Sequence, residues 1–398
     1  MRKLVDAFNH ELYHSANRID CCYIKMNKLN KILFALITIE IVFGGGGRML
    51  DPLGAPPVRY VLFFLSLVVF LLNVITLRAK VSYFQLMLIG SFVFLPVYGT
   101  LVGAVRLNET NLLIDDLQPF LYCLIFLFVC MNDKDLIRWG IDFFIKVVTS
   151  FALIASSLYI LYVALLKSGF IDFNSFYAIA SESSEIFFRP SGAFFMKSFF
   201  FMAMGAVVFF CDKKFMKFLV VMAAIALTET RGVFLFGCAA IFIASLRINK
   251  IYVNLILMAI AFFGFMSLMS IVGDRAGDSD SARINDFYYV IKNLTDLSTI
   301  FGYGFGSEIA GRSRIEVVPL EMLYKTGFLG IMVSLLPILI TSLKLWIERK
   351  DRTSLIILCF VVFSVGVSIT NPFIYTPMGI FVMAIAINHI SINKINKA

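Results

Sequence analysis

The chain has 398 residues, 60% of them hydrophobic and only 15% charged, with 43 phenylalanines and a mean hydropathy of +0.88. A water-soluble domain carries roughly 25% charged residues, so a soluble enzyme is excluded. The net charge of +9 would suggest nucleic acid in a soluble protein, but in a chain that crosses a membrane repeatedly it more often reports orientation.

A helix that spans a hydrocarbon core of about 30 Å needs about 20 mainly apolar residues. Twelve such runs are predicted, at 30–46, 59–77, 82–104, 112–131, 141–166, 192–211, 216–229, 231–247, 251–272, 320–345, 354–370 and 374–391. The seventh and eighth are nearly continuous through Glu229-Thr230-Arg231-Gly232 and read as either one long helix or a tight hairpin. The fold class is therefore all-α and polytopic. A tail at 1–29 precedes nine spans within 30–272, a polar loop fills 273–319, three spans occupy 320–391, and 392–398 is a second tail.

With the N-terminus inside, the inner segments hold 21 Lys and Arg and the outer segments 11, the asymmetry expected of cytoplasmic loops. That split requires the hairpin and places both termini in the cytoplasm. The first 30 residues are polar and lack the apolar core of a cleaved signal peptide, so the first span reads as a retained anchor. None of the seven cysteines falls in an outer loop, so no disulfide is expected there.

The outer side draws its positive charge from nine arginines and two lysines, whereas the inner side has seven arginines and fourteen lysines. Arginine's planar fork binds phosphate and carboxylate through paired hydrogen bonds. An anionic, phosphate-bearing ligand on the outer side is one reading, and ion pairs with outer acids are the other. Arg189, just before a span that also carries Lys197, Arg231 at the outer junction, Arg283 heading a loop helix, and Arg312 and Arg314 before the tenth span are the candidate anion-binding residues. The loop helix is predicted at 281–293, with Ile284, Phe287, Tyr288 and Ile291 on one face to cover the bundle.

Glu321 and Lys325 lie one helical turn apart in the tenth span. Ionisable groups in a span are costly and usually face a cavity or each other. Glu321 is the candidate general base, with Lys325 tuning it or contacting the ligand, and Glu316 is the competing carboxylate. A self-contained Glu321–Lys325 pair is the structural alternative. Asp115 and Asp116 read as helix-terminal acids, either of which could line a cavity. Gly302-Tyr303-Gly304-Phe305-Gly306 has no preceding strand and reads as a flexible turn, and Gly44 to Gly47 as a loose loop end. His10-Glu11-Leu12-Tyr13-His14 matches a zinc-protease spacing but lies in a short polar tail, so neither a metal nor a cofactor is expected.

Arg189-Pro190-Ser191-Gly192-Ala193-Phe194 before a span, Glu229-Thr230-Arg231-Gly232 at the outer hairpin, Arg283 in the long loop, and Phe301-Gly302-Tyr303-Gly304-Phe305-Gly306 followed by Lys325-Thr326-Gly327-Phe328-Leu329-Gly330 resemble the O-antigen polymerase and O-antigen ligase superfamily. The resemblance covers residues 185–335. It implies a multi-pass glycosyltransferase of the GT-C-like type in the bacterial inner membrane, acting at the periplasmic face on undecaprenyl-diphosphate-linked glycans. It also implies a chain-length regulator and a flippase as possible partners; no nucleic acid is expected, because the positive excess lies on the inner side and reports orientation. Ligases commonly carry a histidine near the start of the span after the long loop. Here Glu316, Val317, Val318 and Pro319 stand there, which favours the polymerase. A ligase, or a flippase for the same lipid-linked glycan, is the alternative; a transporter would show internal repeats or mid-membrane ionisable residues.

Overall fold

The computed structural model describes residues 28–45, 58–75, 83–123, 134–181, 185–189, 191–246 and 281–395. The expected span at 251–272, the second half of the span at 112–131, the histidine-containing tail and the start of the long loop lie outside the described residues.

The described chain is almost wholly helical. In order it forms α1 (28–44), α2 (Val58–Ile75), α3 (Tyr83–Val105), α4 (Thr110–Leu117) with a 3-10 turn at Gln118–Cys123, α5 (Lys134–Lys167) and α6 (Phe173–Ala180). A short hairpin, β1 (Ile186–Phe188) and β2 (Phe194–Met196), and a 3-10 turn at Lys197–Phe199 lead into α7 (Phe200–Cys211). Then follow α8 (Phe215–Leu227), α9 (Arg231–Ser245), α10 (281–293), α11 (Asp296–Phe301), α12 (Val318–Ile347), α13 (Arg352–Val367) and α14 (Pro377–Ile395).

Four of these helices, α2, α3, α5 and α12, are long and apolar enough to cross a membrane by length and composition, and five shorter apolar helices accompany them. Phe64, Leu86, Leu101 and Val105 turn their side chains outward from α2 and α3, as lipid-facing positions do in a protein whose backbone polar groups are satisfied within helices. At the centre stands α7, buried from Phe200 through Phe210. Its Gly205 lets α5 approach so closely that an added Cβ would lie 2.2 Å from the Cβ of Ala152, the small-residue contact by which membrane helices pack.

The ambiguous stretch after 215 is broken. α8 ends at Leu227, Glu229 adopts a left-handed φ of 54° and α9 begins at Arg231. Both helices pack against α7. A straight 31-residue rod of about 46 Å could not lay both halves along a helix of 12 residues, so the chain turns back here.

Three expectations are corrected. The run at 192–211 does not enter as a helix. Its first residues pair with 186–188, because Arg189 N–H donates to the Ala193 carbonyl (2.7 Å) and Gly192, at φ 84°, closes the turn. The helix at 281–293 is present, but Ile284, Phe287, Tyr288 and Ile291 are its exposed face, while Asp286 and Val290 are buried. Val290 packs with Ile309, Ile315, Leu320 and Tyr324 in a small core of its own. Hydrophobic periodicity located the helix but not its inward face, on which Val290 joins that small core and Asp286 meets Arg312.

The third correction concerns 302–306, which is a fixed plug. Tyr303 and Gly304 N–H groups donate to the carbonyls of Tyr324 and Lys325, and Phe305 N–H to that of Gly99 (2.8, 2.7 and 2.8 Å). Phe305 is 1% exposed and stacks on Phe120. Gly99 and Gly103 on α3 provide the trough that receives it. Gly44 and Gly45 are equally constrained: Gly44 sits against the Glu40 carboxylate, and a Cβ on Gly45 would lie 2.8 Å from Ser198 N.

Candidate functional site

One end of the bundle gathers nearly every residue singled out above. Tyr162 donates to the Gly192 carbonyl and Tyr159 to that of Leu227. Gly232 packs on Thr370, Phe373 on Phe200, Tyr375 on Phe120, and Phe120 on Phe305. The hairpin, the α8–α9 turn, the α13–α14 loop, the α4 segment and the glycine plug thus form a continuous ring. At the opposite end Arg352 pairs with Asp212, and Ser354 with His389.

The deepest feature of the ring is a buried charge centre. α12 begins after Val317 with proline in its first turn, places Glu321 and Lys325 one turn apart, and leaves helical geometry at Gly327 (φ 65°). The Lys325 ammonium donates to both oxygens of Asp116 (2.7 and 2.8 Å) and to the Ser313 carbonyl, and lies 3.1 Å from Glu321. Its side chain is 1% exposed. Asp116 also accepts the Gly306 N–H at 2.8 Å and lies 3.7 Å from Arg314, whose guanidinium also donates to the Asp115 carbonyl. Two carboxylates thus share one ammonium and the edge of one guanidinium. Asp116 is saturated with donors. Glu321 has Lys325 as its hydrogen-bonding partner among the described residues, so of the two it has the spare capacity to take a proton.

A second layer lies above. Ala310 and Gly311 both have positive φ (52° and 73°), and Ile309 and Arg312 exchange both backbone hydrogen bonds around them, the geometry of a primed hairpin turn. That turn sends Arg312 to Asp286 of α10. Glu316 receives Arg283 through Nε and Nη2 at 3.0 and 2.7 Å, both on one oxygen. Burial pushes the Asp286 carboxyl above the usual carboxylate range, more than the neighbouring Arg312 draws it down. The segment 312–316 therefore alternates between the two layers, with Arg312 and Glu316 facing α10 and Arg314 facing α4.

Arg189 and Arg231 belong to the hairpin and the α8–α9 turn. Arg189 lies at the hairpin turn, and its Nε is buried without a hydrogen-bond partner among the described residues. The Tyr159 hydroxyl accepts the Phe194 N–H (3.1 Å) while donating to Leu227, so it fastens the hairpin to the α8–α9 turn. Arg231 opens α9 behind an extended Thr230. Lys197 starts the 3-10 turn below the hairpin, 3.5 Å from Glu185 and over the Phe187 ring.

The structure therefore unites Glu321, Lys325 and Arg314, sets Arg283 and Arg312 one layer away, and places Arg189 and Arg231 at the hairpin and the α8–α9 turn of the same end. Lys325 spends its three N–H groups on Asp116, Glu321 and the Ser313 carbonyl and keeps no donor for a ligand. Read from the sequence alone, Asp116 is one of two helix-terminal acids, either of which could line a cavity, and Arg59 is one outer arginine among nine. The signal for Asp116 was the cost of an unpaired lysine inside a span, but the choice among outer acids required the fold. Among the described residues no group of three or more His, Cys, Asp and Glu could hold a metal ion.

Fold and site together define a multi-span helical membrane protein that concentrates arginines and buried carboxylates at one end of its bundle. No protein-family model matches the chain, and no solved structure matches it. Over 362 residues, 91% of this chain and 95% of the relative, it is 42% identical to an O-antigen polymerase of Shigella flexneri. The chain belongs to the O-antigen polymerase family.

Proposed function

We propose that this protein joins oligosaccharide repeat units carried on undecaprenyl diphosphate, at the periplasmic face of the inner membrane. The observation that carries the reading is that one end of the bundle holds a buried carboxylate, Glu321, paired with Lys325, together with arginines from the loop before α12, from α10, from the hairpin and from the α8–α9 turn. In the reaction the acceptor hydroxyl oxygen attacks the anomeric carbon of the donor, and the bond from that carbon to the diphosphate oxygen breaks. The departing lipid diphosphate keeps the electron pair.

Glu321 takes the hydroxyl proton, and Lys325, itself held by Asp116, fixes the carboxylate in place. Arg189, Arg231 and Arg283 neutralise the diphosphates of the two lipids, with Arg312 and Arg314 assisting, as preorganised cations stabilise charge that develops in a transition state. Arg283 does so by exchanging its exposed partner Glu316 for phosphate. The donor arrives activated, so no nucleotide is required. A chain-length regulator and a flippase would act beside it.

The test is the lipopolysaccharide ladder of a deletion strain. Polymerase loss leaves core capped with one repeat unit, whereas ligase or flippase loss leaves unsubstituted core; a normal ladder sinks the proposal. In the complemented strain Glu321→Gln should reduce long chains by about 100-fold or more, in line with loss of a general base, with the protein still present in membranes. Arg231→Ala and Arg283→Ala should also lose long chains, and lysine at either position should rescue poorly because it lacks the planar fork. Full-length chains from either alanine variant would remove that arginine from the mechanism.

A further inference from the structure

The base of the hairpin holds a second buried guanidinium that the reaction scheme above does not use. Arg59, at the start of α2, is 1% exposed. Its Nε donates to Glu40 (2.8 Å) and its Nη2 to the Gly45 carbonyl (2.8 Å), and the guanidinium lies over the Tyr122 ring. Its Nη1 is buried with no partner among the described residues.

Gly45 separates Arg59 from Ser198, whose backbone nitrogen would lie 2.8 Å from a Cβ on that glycine. The Ser198 hydroxyl is also buried and unpartnered among the described residues. The adjoining Lys197 holds Glu185 only at 3.5 Å and keeps a side chain 31% exposed, so it can swing towards an incoming anion. Buried donors without acceptors are uncommon because each forfeits its hydration. Here two of them, one on a charged group, flank the same glycine.

The buried guanidinium nitrogens left without a partner among the described residues are Nη1 of Arg59 and Nε of Arg189. Arg59 approaches the hairpin from α2 and meets Ser198 through Gly45, beyond the end of β2, whereas Arg189 lies at the hairpin turn.

We propose that Arg59 and Ser198 form a further anion subsite, at the Lys197 end of the hairpin, that accepts a phosphoryl group of a lipid-linked diphosphate. The inference rests on the reading that the substrates are lipid diphosphates. Arg59 supplies Nη1, Ser198 its hydroxyl and Lys197 its ammonium, while Glu40 fixes the guanidinium plane.

The test uses the full chain in phosphatidylcholine nanodiscs with radiolabelled geranylgeranyl diphosphate as the probe. Ser198→Ala removes an orphaned hydroxyl, so it should leave the melting temperature unchanged or raised, yet weaken probe binding about tenfold, as expected for a lost hydrogen bond to a charged group. Arg59→Lys should weaken binding at least as much. Competition by inorganic pyrophosphate would show that the subsite reads the phosphoryl group alone; failure to compete, with the probe still lost in Ser198→Ala, would show that it reads the lipid-anchored form. Binding within twofold of the parent in both variants would mean that the orphaned donors hold only water, and would overturn the subsite. If Arg189→Ala alone loses the probe, the subsite fails while the reading of lipid diphosphate substrates stands. If the parent protein binds no probe, that reading fails as well.

Discussion

Lys325→Met is expected to cost about 3–5 kcal/mol, the usual penalty for removing one partner from a buried ion pair, and so to remove most folded protein from membranes. The ammonium is bound by both oxygens of Asp116, by Glu321 and by the Ser313 carbonyl. Without it two buried carboxylates face each other with only the partly exposed Arg314 nearby. The loop also loses its anchor, since Ser313 has no other claim on α12 in this network.

Glu321→Gln is expected to behave differently. Lys325 then keeps its two short bonds to Asp116, so the protein should accumulate normally and fail only in elongation. Detergent-extracted protein, followed by thermal unfolding and by the ladder, separates the two. If Lys325→Met melted within a degree or two of the parent, the centre would not be a structural clamp. If both variants lost the protein equally, Glu321 could not be assigned a chemical role from its ladder.

Gly304→Ala is expected to be nearly as damaging, for a steric reason. Gly304 has φ 84°, and a Cβ there would lie 2.2 Å from Gly103 N and 2.4 Å from Gly103 Cα, both backbone atoms that cannot rotate away. Overpacking costs roughly 1–3 kcal/mol and a side chain in this conformation roughly 1–3 more. The plug would lift, and Asp116 would lose the Gly306 N–H. Gly311 provides the control. Its φ is 73°, but nothing lies within 4 Å of its added Cβ, so Gly311→Ala should cost only the conformational strain, about 1 kcal/mol. Equal losses of melting temperature at both positions would show that close approach to α3 does not matter.

The sequence carried the membrane class, the position of most helices and the choice of polymerase over ligase. Each rests on an observable that one segment shows by itself: a run of apolar residues long enough to span, a periodicity, a motif. It also marked Glu321, Lys325 and six arginine or lysine neighbours for attention, because charge inside or beside a span is expensive wherever the chain goes.

What only the tertiary structure decided are relations between distant segments. Asp116 and Lys325 are 209 residues apart, and no local pattern distinguishes Asp116 from Asp115 as the lysine's partner. The glycine plug reads as flexible in isolation because glycine widens backbone freedom. It is rigid here because α3 occupies the space that side chains would need. The face that α10 buries was likewise a matter of partners: Asp286 meets Arg312 and Val290 packs with Ile309, Ile315, Leu320 and Tyr324, while the apolar stripe lies outside. Hydrophobicity is a property of residues and could be read along the chain. Counter-charge and close packing are properties of pairs, and the fold chose the pairs.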